Sequence, residues 1–200
     1  MATTWNPADK SAGITLSAGN LVATNNNNAM AGVRAIAGLA TGRSYWEVTF
    51  TTTTLGTDAA GIINGSFALN SVLQSVAANS PILGVQANGS MTGGTTGSSL
   101  GPIGSGTVCF AVDFGAQAFW ARLGAAGNWN ASGTANPATG AGGVSMVSIN
   151  LGNGVMTYPW CVVGNTNDRM TANFGDSAFV GVPPAGFAAA GTQARTMILA

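Results

Sequence analysis

Histidine is absent from all 200 residues of this chain, which removes the side chain most used for proton transfer near neutral pH and for metal ligation. A Ser-His-Asp triad, a Cys-His pair and an imidazole-built zinc site are thereby excluded. Carboxylates are nearly as scarce: Glu47 is the only glutamate, beside Asp9, Asp58, Asp113, Asp168 and Asp176. Glycoside hydrolysis needs two carboxyl groups flanking one bond. Glu47 has no acidic residue within ten positions on either side, so it reads as a solvated strand residue. Asp168 with Asn165 and Asn167 offers oxygens for a calcium ion, yet Asn and Asp also dominate turns, and a turn is the stronger reading. No catalytic residue, metal site or cofactor is expected, and an enzyme ranks well behind a binding or structural protein.

What remains is a chemistry of recognition. Three tracts, Asn25 to Asn28, Thr92 to Ser99 and Asn128 to Gly143, are too polar or glycine-rich to bury a core of their own and are expected to be exposed loops. Apolar sugar faces stack on aromatic rings while their hydroxyls bond to amides. Trp129, set between Asn128 and Asn130, is therefore the leading candidate for a ligand platform, with Asn165, Asn167 and Arg169 as neighbours in a second loop. The competing reading has Trp129 capping the domain as packing.

Charge narrows the partners. Six Lys+Arg balance six Asp+Glu, and only 6% of residues are charged, against about 25% in ordinary globular domains. Scattered cations on a neutral chain give no footprint for nucleic acid and no polybasic membrane patch. A surface of Asn, Thr, Ser, Gly and Ala lacks the usual protection against association, which suits a protein covered in a multi-copy assembly or fixed to a large particle. The apolar runs, such as Val108 to Val112, are too short for a membrane helix, and Met1 to Lys10 lacks a signal pattern, so a soluble chain made in a cytoplasm is expected.

The elements that must position these residues are strands. Thirty Gly and seven Pro punctuate short runs rich in Val, Ile, Thr, Phe and Trp, an all-β pattern of about ten to thirteen strands. Ile14 and Leu16 alternate with Leu21 and Ala23 around Ala18-Gly19-Asn20, predicting a hairpin. Ser44 to Thr51 places Trp46, Val48 and Phe50 on one face, with Tyr45, Glu47 and Thr49 on the other. Ile82 to Ala87 runs into the turn dipeptide Asn88-Gly89. Val108 to Asp113 and Ala118 to Leu123 form the clearest hairpin. Further strands are expected at Val144 to Ile149, Trp160 to Val163, Met170 to Phe174 and Thr196 to Leu199. Leu69, Val72, Leu73 and Val76 allow one short helix. Cys109 and Cys161 sit inside apolar strands and read as two reduced core thiols. One domain over residues 1–200 is expected, since β-sandwiches of this length stay undivided.

The order of these motifs resembles a known family. Gly42-Arg43-Ser44-Tyr45-Trp46-Glu47-Val48 is similar to the "GR.YWEV" strand of SPRY domains, and Val108 to Asp113 followed by Ala118 to Arg122 to their "vgvalD…gtlwf" hairpin. Asn173-Phe174-Gly175, with Phe179, Pro183-Pro184 and Gly186-Phe187 behind it, resembles their closing "NFG…F…PP.GF". Trp5-Asn6-Pro7-Ala8-Asp9-Lys10 and the stretch Gly127 to Asn130, followed by Asn136 to Gly140, resemble the subset found in phage structural and tail proteins. The resemblance spans about residues 3–190. It implies an antiparallel sandwich of concanavalin-like jelly-roll topology, with ligand bound by loops at one edge and no cofactor. Trp46 and Phe174 are then core, Gly175 and Gly186 supply unusual backbone angles, and Pro183-Pro184 stiffens a strand exit. The implied role is host-receptor or glycan adhesion at a phage tail tip or fibre. The alternative is a capsid decoration, head-fibre or baseplate component bound to another virion protein.

Overall fold

The structure is a computed structural model describing residues 3–92 and 98–192. Its two sheets are antiparallel apart from one short parallel pairing and stack as a sandwich. The first runs in the order β1 (Trp5–Lys10), β4 (Ala31–Ala35), β12 (Thr157–Val163), β6 (Ala59–Asn64), β7 (Ile82–Gln86) and β8 (Met91–Thr92). The second runs β11 (Val144–Ser145), β10 (Ala118–Leu123), β9 (Thr107–Asp113), β5 (Arg43–Thr52), β13 (Arg169–Asn173), β3 (Val22–Asn25) and β2 (Ile14–Ser17). β14 (Ala188–Ala189) pairs in parallel with Ser44 and Tyr45 of β5. Three short 3-10 turns occur, at Leu73–Ser75, Trp129–Ala131 and Pro137–Thr139, and residues 190–192 are helical.

Side chains alternate across each strand, so the period-two residues fill the space between the sheets. Trp46, Val48 and Phe50 meet Val108, Phe110 and Val112 there, and all are fully buried. Trp46 stacks on Phe110 at 5.4 Å, and Trp5 meets Phe174 edge-on at 5.2 Å. Both predicted core aromatics, Trp46 and Phe174, are thus in the core. The β2–β3 and β9–β10 hairpins form in the expected places. Ala18, Gly19 and Asn20 all take the positive φ that the first of them needs. Both cysteines are buried and free.

Four expectations change. Glu47 is 1% exposed and not solvated, because the outer face of β5 is itself covered. Val144 to Ile149 is a strand only at Val144–Ser145. Met146, Ile149 and Leu151 still reach the core, but through successive turns, which mimic alternation in the sequence. The helix expected from Leu69 to Val76 is a single 3-10 turn at Leu73–Ser75, since only Leu73 of that turn is buried. Asn25 is fully buried rather than part of an exposed loop, its Nδ2 donating to the Ala29 and Val163 carbonyls at 2.8 and 2.9 Å. Asn26, Asn27 and Asn28 are exposed as expected. Thr196 to Leu199, and residues 93–97 of the Thr92 to Ser99 tract, lie outside the described residues.

Candidate binding face

The outer face of the second sheet is where the chemistry collects. On β5, β9 and β10 six residues of opposite parity to the core sit together: Tyr45, Glu47, Cys109, Ala111, Trp120 and Arg122. All but Arg122 are buried. They are covered by two segments: the loop 124–143 and the strap 176–187, whose Phe179 and Phe187 pack on Tyr45 and Trp120.

Glu47 fixes the strap. Its Oε1 accepts from the Tyr45 hydroxyl at 2.7 Å and the Gly181 amide at 2.8 Å, and its Oε2 accepts from the Val180 amide at 2.9 Å. A buried charge is tolerated only when its oxygens are bonded in this way. Gly181 lets the strap sit close: a Cβ there would lie 2.7 Å from the Tyr45 hydroxyl and 2.8 Å from Arg122 Nη2, so those side chains would have to shift. Burial, then the bonds to Cys109 and Glu47, hold the Tyr45 phenol far above its ordinary pKa. Burial also pushes the Cys109 thiol up. A thiol kept protonated beside a carboxylate is a poor nucleophile, so this cluster fixes the chain rather than reacting.

Arg122 joins the strap to the loop. Its Nη2 donates to the Val182 carbonyl at 3.1 Å, and its guanidinium lies 4.5 Å from the centre of the Trp129 ring, a cation–π contact. Trp129 is half-buried, between the platform and the cap that its sequence allows. Asn128 is exposed, whereas Asn130 is buried in a left-handed conformation with φ 50°. The Asn130 side chain accepts from the Ala121 amide at 2.8 Å and donates to the Phe119 and Gly142 carbonyls. Both groups of the amide are engaged in holding the loop on β10, so Asn130 positions the face. Asn130 also lines an open depression of about 420 Å³, together with Ser98, Ser132, Gly142, Val144 and Ser145.

Asn165 and Asn167 lie elsewhere, in the β12–β13 loop at one end of the sandwich, and Arg169 opens β13 beside them. β9 and β5 stand between β10 and β13, three strand spacings or about 14 Å, so the predicted residues form two groups and not one site. Asn165 Nδ2 donates to Thr54 Oγ1 at 2.8 Å, and its carbonyl accepts from the Asp168 amide at 3.0 Å, closing a turn. Asn167 is exposed with φ 70°, and Arg169 is exposed opposite Thr52.

Sequence reasoning missed Tyr45, Glu47, Arg122 and the strap residues Val180 and Val182, which are 59% and 80% exposed. A signal was present. Val108 to Val112 is apolar at every position, the mark of a strand buried on both faces.

Against solved structures, the fold is that of SPRY domains. The chain is similar to the SPRY domain of human HERC1, with a TM-score of 0.62 and 10% identity, over 87% of this chain and 99% of that one. It is similar to the TRIM65 PSpry domain, with a TM-score of 0.56 and 9% identity, over 86% and 92%. A stonustoxin structure matches with a TM-score of 0.54 and 13% identity, over 86% of this chain and 27% of that one. No family model and no curated protein sequence matches the chain.

Proposed function

We propose that the chain is a non-enzymatic binding module on the surface of a bacteriophage particle, contributing to host attachment by contact with a cell-surface glycan. Its binding face is the outer face of the second sheet. The observation that carries this reading is the half-buried Trp129 ring on the loop whose next residue, Asn130, lines an open depression with Ser98, Ser132 and Ser145, a combination suited to a neutral, hydroxyl-rich ligand. The near absence of charge fits a ligand of that kind and speaks against nucleic acid. Among the described residues no helix is long and apolar enough to cross a membrane. The phage assignment rests on the resemblance of the Trp5 to Lys10, Gly127 to Asn130 and Asn136 to Gly140 segments to phage structural and tail proteins.

A second reading, a capsid decoration, head-fibre or baseplate component bound to another virion protein, is favoured by Val180 and Val182. Two exposed valines on a pinned strap suit a protein partner better than a sugar. Antibody labelling and reconstruction of the particle test both. A labelled chain with Trp129 and the strap facing solvent supports attachment. Burial of that face against capsid or tail protein supports the structural role, and particles that carry no copy of the chain contradict both.

A further inference from the structure

We propose that Asp58 and Asp168 form a proton-operated latch, in which one shared proton holds the β5–β6 and β12–β13 loops together and its loss above neutral pH loosens that end of the sandwich. Both residues are fully buried, 110 positions apart in sequence. Their adjacency follows from how they divide the backbone donors. Of the consecutive amides Thr54 and Leu55, the first donates to Asp168 Oδ1 at 3.1 Å and the second to Asp58 Oδ2 at 3.4 Å. Of Gly164 and Asn165, the first donates to Asp58 Oδ1 at 2.7 Å and the second to Asp168 Oδ2 at 3.2 Å. Each carboxyl therefore bridges both loops, and the two lie side by side between them. The Thr54 hydroxyl adds contacts to Asp168 at 2.8 and 3.0 Å.

Two buried carboxyls so placed do not both ionise at little cost. Asp168 faces Asp58 from the β12–β13 loop, and Cys161 faces it from β12. The other neighbours are neutral: Asn25 of β3, Met30 before β4, Thr54 and Leu55 of the β5–β6 loop, and Ala87 after β7. Arg169 is exposed, and neither carboxyl joins an ion pair among the described residues. Burial first, then the Asp168 charge, pushes Asp58 up to about 7 from its ordinary 3.8. A folded pKa above the unfolded one gives stability that is complete below about pH 4 and is lost as pH rises through about 7. No histidine exists to mask this window. Burial pushes both thiols and the Tyr45 phenol upward, out of it.

The test is thermal melting of the full chain between about pH 5 and pH 8, for wild type and Asp58→Asn, with amide exchange of Leu55 and Gly164 read against Phe110. The wild-type melting temperature is expected to fall by roughly 5 °C or more across this range, with Leu55 and Gly164 losing protection relative to Phe110. Asp58→Asn, which mimics the protonated form, should melt nearly independently of pH. A flat wild-type profile, or an Asp58→Asn profile that keeps the slope, overturns the latch. If Asp58→Asn does not fold, Asp168→Asn replaces it with the same two outcomes. If neither folds, the wild-type exchange decides: Leu55 and Gly164 keeping their protection relative to Phe110 up to pH 8 contradicts the latch.

Discussion

The two outer faces of the sandwich are both covered, by opposite means. Over the first sheet, the segment after β6 turns Phe67, Leu69, Leu73 and Val76 inward onto Trp160, Val162 and Ile63. Its carbonyls, and that of Asn64 at the end of β6, are held by donors from below: Arg34 to Asn64 and Phe67, and Trp160 Nε1 to Leu69 at 2.8 Å. Over the second sheet, the strap is held by an acceptor from below, Glu47, which takes the amides of Val180 and Gly181 and leaves Val180 and Val182 facing out. The first cover completes a core. The second presents Val180, Val182 and the half-buried Trp129 ring to solvent, which is why the proposed recognition is assigned to the second face.

Trp160→Ala should have the largest effect, about 3–5 kcal/mol for emptying a buried aromatic site. Denaturant melts would measure it, and binding should fall only as far as the folded fraction does. A binding loss beyond that would move function to the first face. Glu47→Ala comes next, at roughly 2–3 kcal/mol, because it strands two amides and the Tyr45 hydroxyl without an acceptor. It should also free the strap locally. Cys109, buried in the wild type, should then react with thiol reagents in the native state, while Cys161 stays silent. Equal labelling of both thiols would mean global unfolding and no separable strap. Arg122→Ala is smaller, about 0.5–2 kcal/mol from the lost guanidinium–indole contact and the bond to Val182. Its signature is weaker binding with a melting temperature changed by only a few degrees.

The core was legible because strand alternation is local: Trp46, Val48 and Phe50 declare their face within five residues. Hairpins were legible for the same reason, since Ala18-Gly19-Asn20 carries its own turn chemistry. The covered outer face of the second sheet was not, because its defining contacts are remote. The acceptor for Val180 lies 133 positions away, so a search for acidic neighbours along the chain leaves Glu47 looking solvated. Asp58 and Asp168 escaped notice likewise, meeting only across two loops. Asn130, expected in an exposed loop, is buried with its amide bonded to backbone, since residue type cannot tell an amide bonded to the backbone from one facing solvent. Trp129 fell between its two readings because Arg122 covers part of a ring that the loop leaves partly open.

Trp129→Ala should perturb the fold least and recognition most, and comparing it with wild type tests the central claim. Both proteins would be purified, melted, and assayed for binding to susceptible cells and to particles lacking the chain. The account predicts a melting temperature within a few degrees of wild type and a loss of binding of tenfold or more, as expected when an anchoring aromatic is removed. Loss on cells marks attachment, and loss on particles alone marks the structural role. Unchanged binding to both targets, or a collapse in melting temperature, would contradict the assignment of recognition to this face.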